Sequence, residues 1–531
     1  MKTETESRSR TDDLLFESER RAGYERAAYV LMGLLVAYSF VRGIRAAVVR
    51  PFWFDELYTL TIAGQPTLHD LWAVWKARID AEPPLFYLME RLTLTLPVAK
   101  EVALRLPSIV AFCGTLVCLF AYVRRRSGEF VACVCALLLL STILFQAYLI
   151  EARPYAAMVA CIAFALVCYQ RLPSKIWAVL FLVSLVLAES LHYYAVFAMI
   201  PFWFAEGVFF LKTRRFRWAV LAGLVSALLP LLATLRWLLM IQKHMSPHIF
   251  ARPDFSQVKS YYENFFLLNG NMAVAAGLVI AAIVAILLSG GWPWTETEGG
   301  PTGKTDARET ILMLSLIVLP YIVFVLTRLL HGLLLGRYVM SAIIGIILGL
   351  GCALSFAGRK GVVIFAAFAL CATGVREMQF WRHPQAAPYQ PYFSAASRQQ
   401  LREMKDFVDS AGHKDLPVVI SDCLLYTQFV QYLDPNWTKH LVYLVDGERE
   451  YKYTGADSSS ATMVTLQPYF PVRVAEYSQF TGTHSEFLLY AKGLDWYQRA
   501  FEHENFSMKI LARSESDGEM YLVTPIDDAR R

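Results

Sequence analysis

Apolar blocks of roughly twenty residues, separated by short polar stretches, recur from residue 27 to residue 376, and about that length is what a helix needs to cross a ~30 Å hydrocarbon layer. The pattern predicts eleven spans, roughly 27–48, 102–123, 130–149, 153–170, 175–192, 194–211, 218–240, 270–290, 311–329, 338–357 and 361–376. After residue 376 the pattern changes. "RQQLREMKDFVDSAG" has a helical period, with Leu401, Met404, Phe407 and Val408 on one face. "LPVVISD", "HLVYLV", "SEFLLYAK" and "GEMYLVTP" read as strands, and the segment after Asp495 reads as a helix followed by a strand. Strands alternating with helices predict a small α/β domain.

The polar stretches set the expected orientation. Even-numbered spans exit into "YVRRRSGE", "YQRLPSK", "LKTRRFRW", the 291–307 loop and "AGRKG", most of them basic. Basic short loops stay on the cytoplasmic side. The expected organisation is therefore a cytoplasmic segment 1–26, a membrane domain 27–376 and an extracytoplasmic domain 377–531, in the cell's inner (plasma) membrane. Arg42, Arg45 and Arg50 oppose the trend, because they sit at the outer end of span 1. They either snorkel to the interface or meet an anionic headgroup or phosphate.

Composition adds little to this frame. The chain of 531 residues is 56% hydrophobic with a net charge of +5, so no nucleic-acid partner is implied. Eight of the nine cysteines lie in apolar segments and only Cys423 in the polar C-terminal part, which leaves no disulfide framework there. Cys133 and Cys135 point away from each other on a helix and make no metal site. The charged first 25 residues and the long apolar run behind them read as an anchor rather than a cleavable signal.

The first outer loop, 51–100, is unusual. "RPFWFDELYTL" sets Asp55 and Glu56 between aromatic pairs where a span ends. A carboxylate held at a membrane surface is partly out of water, which is how a general base is made. "LHDLWAVWKARI" places Leu68, Leu71, Trp72, Trp75 and Ile79 on one helical face, as in a helix lying in the interface. "DAEPPLFYLMERLTLTLP" predicts a second such helix opened by Pro83 and Pro84. Asp80 and Glu82 are further candidate acids, or solvated loop charges. More polar groups arrive on the same side: Glu151 and Arg153 in "YLIEARPYAAM", Glu189, His192, Tyr193 and Tyr194 in "LAESLHYYAV", and Arg328, His331 and Arg337 in "TRLLHGLLLGRYVM". Charges near membrane depth are costly and commonly functional, although a Glu151–Arg153 pair pinning its turn, and a structural His192, are the plainer readings.

Carboxylates, arginines and aromatics at the outer surface fit sugar transfer from a lipid-borne donor, since nucleotide sugars belong to the other side. A base must deprotonate an acceptor hydroxyl. A phosphate leaving group needs cationic stabilisation, which arginine supplies. There is no Gly-rich phosphate loop and no Cys/His metal spacing.

"FWFDELYTL", "DAEPPLFYLMERL", "EVALRLPSIVAFCGTL" and "YLIEARPYAAM", in that order, resemble the N-terminal half of GT-C glycosyltransferases. The resemblance is to the protein O-mannosyltransferase-like branch that includes the ArnT-type and rhizobial lipopolysaccharide sugar transferases. It covers about residues 30–200, and "GRYVM" at 336–340 resembles a later feature. It implies a GT-C-like fold of about eleven transmembrane helices. It also implies a polyprenyl-phosphate sugar donor within the membrane lipids, an extracytoplasmic lipid, glycan or protein acceptor, and single displacement. Asp55 is implied as the base and Glu56 as its support. Glu151, Arg153, Tyr155, His192, Arg337, Tyr338 and Glu82 are implied at the substrate. Where relatives often carry His before the Pro-Pro-Leu motif, this chain has Glu82. No cofactor is implied; a divalent metal is compatible with the site but not called for.

Two other readings remain. A transporter or flippase would place charges and broken helices near the midplane within repeats. A membrane-anchored binding or assembly protein would do its work with residues 377–531.

Overall fold

The described residues of the computed structural model are 2–244, 253–263, 265, 307–330, 332–356, 358–383, 397–413, 415–492, 495–514 and 518–526. The expected span 270–290, most of the 291–307 loop and His331 lie outside them. Among the described residues, five helices are long and apolar enough to cross a membrane: Gly23–Val49 (the apolar part of α1, Lys2–Val49), Lys100–Leu139, Ala195–Thr213, Trp218–Met240 and Lys360–Arg382. Ala307–Ile317 and Leu319–Leu329, bent by 60°, make a sixth if counted as one broken span. The chain is a polytopic helical membrane protein with a C-terminal α/β domain.

The remaining expected spans take other forms. Spans 102–123 and 130–149 join in the helix Lys100–Leu139, which kinks at Gly128 (φ 82°), a backbone region that favours glycine. Where that helix ends, the Thr142 hydroxyl donates to Leu139 O at 2.7 Å, a side-chain bond that competes with the helix ladder, and the Ser141 and Thr373 hydroxyls pair at 2.7 Å. Only the short pieces Ile143–Gln146 and Tyr148–Ile150 follow before the turn at Glu151. Tyr155–Gln170, Lys175–Leu191 and Ala342–Phe356 are helices of 16, 17 and 15 residues.

Between α1 and the helix Lys100–Leu139 lie three short helices: α2 (Phe54–Ala63), α3 (Leu68–Lys76) and α4 (Pro84–Thr93). The Glu56 carboxylate receives the Trp53 N–H at 3.1 Å and so caps α2 from within. Thr67 and Asp70 make a capping box for α3. Proline opens α4, where its missing N–H costs nothing. Of the apolar face expected here, Leu71, Trp75 and Ile79 are buried, Trp75 stacking on Trp237 at 4.3 Å, while Leu68 is exposed.

Among the described residues, the C-terminal domain holds a six-stranded sheet in the order β3-β2-β1-β4-β6-β5. The strands are β1 (Val418–Ile420), β2 (Leu441–Val445), β3 (Val474–Glu476), β4 (Phe487–Ala491), β5 (Phe506–Ser514) and β6 (Gly518–Pro525). β1 runs parallel to β2 and β4, and β2 parallel to β3, while β6 is antiparallel to β4 and β5. The central strands β2 and β4 are buried along their whole length, as parallel strands covered on both faces are. β3 went unpredicted because "VAE" is too short and too mixed to show a period.

Candidate functional site

The first turn of α2 sends its two neighbouring carboxylates in opposite directions. Glu56 is 2% exposed and fully engaged. Arg105 grips it with Nε at 2.8 Å and Nη2 at 2.7 Å, and the Ala152 and Trp53 N–H groups donate to it at 2.8 and 3.1 Å. A carboxylate with four donors is a structural anchor, tying α2, the 151–153 turn and the helix Lys100–Leu139 together. Asp55 faces the other way. Its Oδ2 lies 3.1 Å from Arg337 Nη1, and these two side chains stay 15% and 17% exposed where the other ion pairs around them are nearly sealed.

Arg153 does not neutralise Glu151. Its guanidinium binds Asp80 through both nitrogens of its fork and reaches Glu82 Oε1 at 3.2 Å. Asp80 also accepts from the Tyr87 hydroxyl at 2.8 Å. One cation thus serves two carboxylates and Asp80 takes the larger share. Burial holds the Glu82 carboxyl up at about 8, against the pull of Arg153. His192 Nε2 sits 3.5 Å from Glu82, and its Nδ1 accepts the Tyr194 N–H at 3.1 Å, so the proton of the neutral ring is on Nε2.

Glu151 is buried in its turn, whose backbone is fixed by the Ser108 hydroxyl donating to Glu151 O at 2.6 Å. Burial lifts its carboxyl to about 8, and the nearby Arg337 only partly offsets this. An aromatic wall closes the site. Tyr155, His192 and Tyr338 pack with ring centroids 5.2–6.4 Å apart. Tyr194 lies on Tyr338 at 4.3 Å. Arg337 stands over Trp53, Tyr155 and Tyr338 at 5.6–5.9 Å.

All nine residues singled out in the sequence meet here, although they come from five separate segments of the chain. Of the other polar groups on this side, Arg328 is exposed and bonds Pro253 O, and Glu189 is buried in the helix Lys175–Leu191. Of the basic residues at the end of span 1, Arg42 neither snorkels nor stays free. It is fully buried, bonded to Glu377 and Gln146 at 3.1 and 2.9 Å. Arg105 was missed as a partner because nothing in "EVALRLPS" says which carboxylate its helix will meet. Asp80, one of the candidate acids of the first outer loop, is no solvated loop charge: Arg153 and the Tyr87 hydroxyl hold it.

Several buried polar atoms of this cluster have no hydrogen-bond partner among the described residues: Glu151 Oε1, Arg153 Nε, the Tyr155 hydroxyl, His192 Nε2 and Arg337 Nε. Buried polar groups are normally satisfied, so donors and acceptors concentrated beside the Asp55–Arg337 pair are what a polar, anionic ligand would complete. The α/β domain is different. At the edge where strand order reverses between β1 and β4, ligands of open sheets commonly bind. Here Asp422 accepts the Leu424 and Leu425 N–H groups, Asp495 that of Trp496, and Glu450 those of Ser459 and Ser460. The helix starts that would hold a phosphate carry the chain's own carboxylates, and "SD" after β1 is a helix cap.

No protein-family model matches the chain, and no curated protein matches it by sequence. Among solved structures it is similar to ArnT from Cupriavidus metallidurans in the apo state, at 13% identity over 93% of this chain and 98% of that one, with a TM-score of 0.43. The same protein bound to undecaprenyl phosphate matches at 14% identity over the same shares, with a TM-score of 0.39. The Archaeoglobus fulgidus oligosaccharyltransferase complexed with zinc and sulfate matches at 9% identity over 86% of this chain and 68% of that one, with a TM-score of 0.43.

Proposed function

We propose that this chain is a membrane glycosyltransferase that moves a sugar from a polyprenyl-phosphate donor to an extracytoplasmic acceptor. The observation that carries the reading is the Asp55–Arg337 pair: a carboxylate and a guanidinium, 15% and 17% exposed, side by side among unsatisfied buried polar atoms. Four sequence motifs that resemble one family of such enzymes lead to the same residues. In this reading Asp55 takes the proton of an acceptor hydroxyl while that oxygen bonds to the anomeric carbon. The bond from that carbon to the phosphate oxygen breaks, and its electron pair leaves with the phosphate. Arg337 releases Asp55 to the proton and turns to the growing negative charge, and its fork suits phosphate better than an ammonium would. Arg153, already committed to Asp80 and Glu82, orders the wall of the site. Glu82 and Glu151, held protonated by burial at neutral pH, would donate hydrogen bonds to sugar or acceptor oxygens. Tyr155, His192 and Tyr338 would offer ring faces to a sugar.

The test is direct. Purified chain in lipid is incubated with polyprenyl-phosphate sugars and an extract of envelope acceptors, and release of free polyprenyl phosphate is followed by mass spectrometry. Acceptor-dependent release is expected from the native chain and not from Asp55→Asn. Equal release from both would remove Asp55 from the chemistry. No release with any sugar would overturn the reading.

A further inference from the structure

The segment that delivers Asp55 has no secondary structure of its own, yet nearly every backbone polar group in it is bonded. α1 ends with the Arg50 N–H on Ala46 O at 3.0 Å. Arg105 then donates to Arg50 O at 2.6 Å and to Pro51 O at 2.9 Å. The Phe52 N–H donates to the Tyr432 hydroxyl at 2.7 Å, and the Gln428 side-chain amide donates to Phe52 O at 2.8 Å. The Trp53 N–H goes to Glu56. Both groups of Phe52, three residues before Asp55, are therefore held by the α/β domain from the helix Cys423–Tyr432. Gln428 and Tyr432 are four residues apart, on one face of that helix. Phe52 is 1% exposed and Gln428 3%, so water does not compete for these bonds. One turn along α2, the buried Tyr58 faces Thr462 and Cys423 of the same domain.

We propose that Gln428 and Tyr432 are positioning residues: they clamp the Phe52 peptide, fix the entry of α2, and so hold the Asp55 carboxylate toward Arg337. The proposal rests on the glycosyltransferase reading for its kinetic consequence only. The α/β domain then serves the reaction by setting a distance. An ordinary docking contact between domains would share the burial. It would not convert the loss of two hydrogen bonds at Phe52 into a selective loss of turnover.

The experiment uses the full chain in lipid nanodiscs with Tyr432→Phe, Gln428→Ala and the double variant. Hydrogen exchange of the peptide covering residues 50–57 should speed up by about tenfold in the double variant while the Lys100–Leu139 core keeps its protection. The kcat should fall about 10- to 100-fold with the donor KM held, since a displacement near 1 Å at a reacting group costs on that order. Tyr432→Phe removes a single hydroxyl and should show the same pattern more weakly. Unchanged exchange at 50–57 in the double variant would overturn the clamp, and so would a kcat within about twofold of native despite faster exchange. If the native chain transfers no sugar, the reaction assignment fails, and the exchange result alone decides whether the Phe52 peptide is clamped.

Discussion

Asp55 and Glu56 are the same chemistry one residue apart, yet they face different worlds. Glu56 meets a buried guanidinium and two backbone N–H groups, and its side chain is 2% exposed. Asp55 meets one guanidinium and is 15% exposed. Along a helix, consecutive side chains diverge by about 100°, so one carboxylate meets Arg105 in the interior and its neighbour meets Arg337. What differs is how many partners are built in. The saturated acid holds three segments of chain together, and the unsaturated one is available for work.

The largest expected effect tests that contrast at Asp55. Asp55→Asn keeps shape and loses the base, so transfer should fall by about 10²–10⁴-fold with the unfolding midpoint in detergent unchanged. A parallel loss of the midpoint would show that Asp55 is an anchor too. Arg337 comes next. Arg337→Ala should abolish transfer, whereas Arg337→Lys keeps the charge without the fork and should keep partial activity. Equal losses from both would mean that geometry, not charge, is what Arg337 supplies.

Glu56→Gln should break the other half of the contrast. It leaves Arg105 buried without its counter-charge, a change that costs about 3–5 kcal/mol. Loss of folded protein is expected, measured by size exclusion and thermal unfolding, while the folded fraction retains turnover far above that of Asp55→Asn. A stable Glu56→Gln chain with no turnover would move the base to Glu56.

The smallest effect concerns Glu82. Its folded carboxyl is held at about 8 by burial, above the value it takes when unfolded. The unfolded chain therefore releases its proton first as pH rises. Stability is greatest on the acid side and should decline between pH about 5 and 8. Glu82→Gln mimics the protonated form, so it should flatten that part of the profile and raise the apparent midpoint at pH near 8. An unchanged slope would show that Glu82 is ionised in the folded protein.

The apolar blocks and the loop charges determined by themselves that the chain is a helical membrane protein. The pattern after residue 397 determined every strand of the α/β domain but β3, because burial on both faces of a sheet leaves a continuous apolar run such as "FLLYA" in β4. The residues of the site were also legible, because polar groups are expensive beside apolar blocks and stand out wherever they occur. Partners were not. "IEARP" puts a carboxylate and a guanidinium two residues apart, but the turn sends Arg153 to Asp80 and leaves Glu151 without it. Arg105 meets Glu56, and Gln428 and Tyr432 meet Phe52, across separations of 49, 376 and 380 residues. No local period encodes such pairings. Periodicity reports which side chains leave water, whereas the choice between two carboxylates for one cation is made only when helices pack and each buried charge takes the partner within reach.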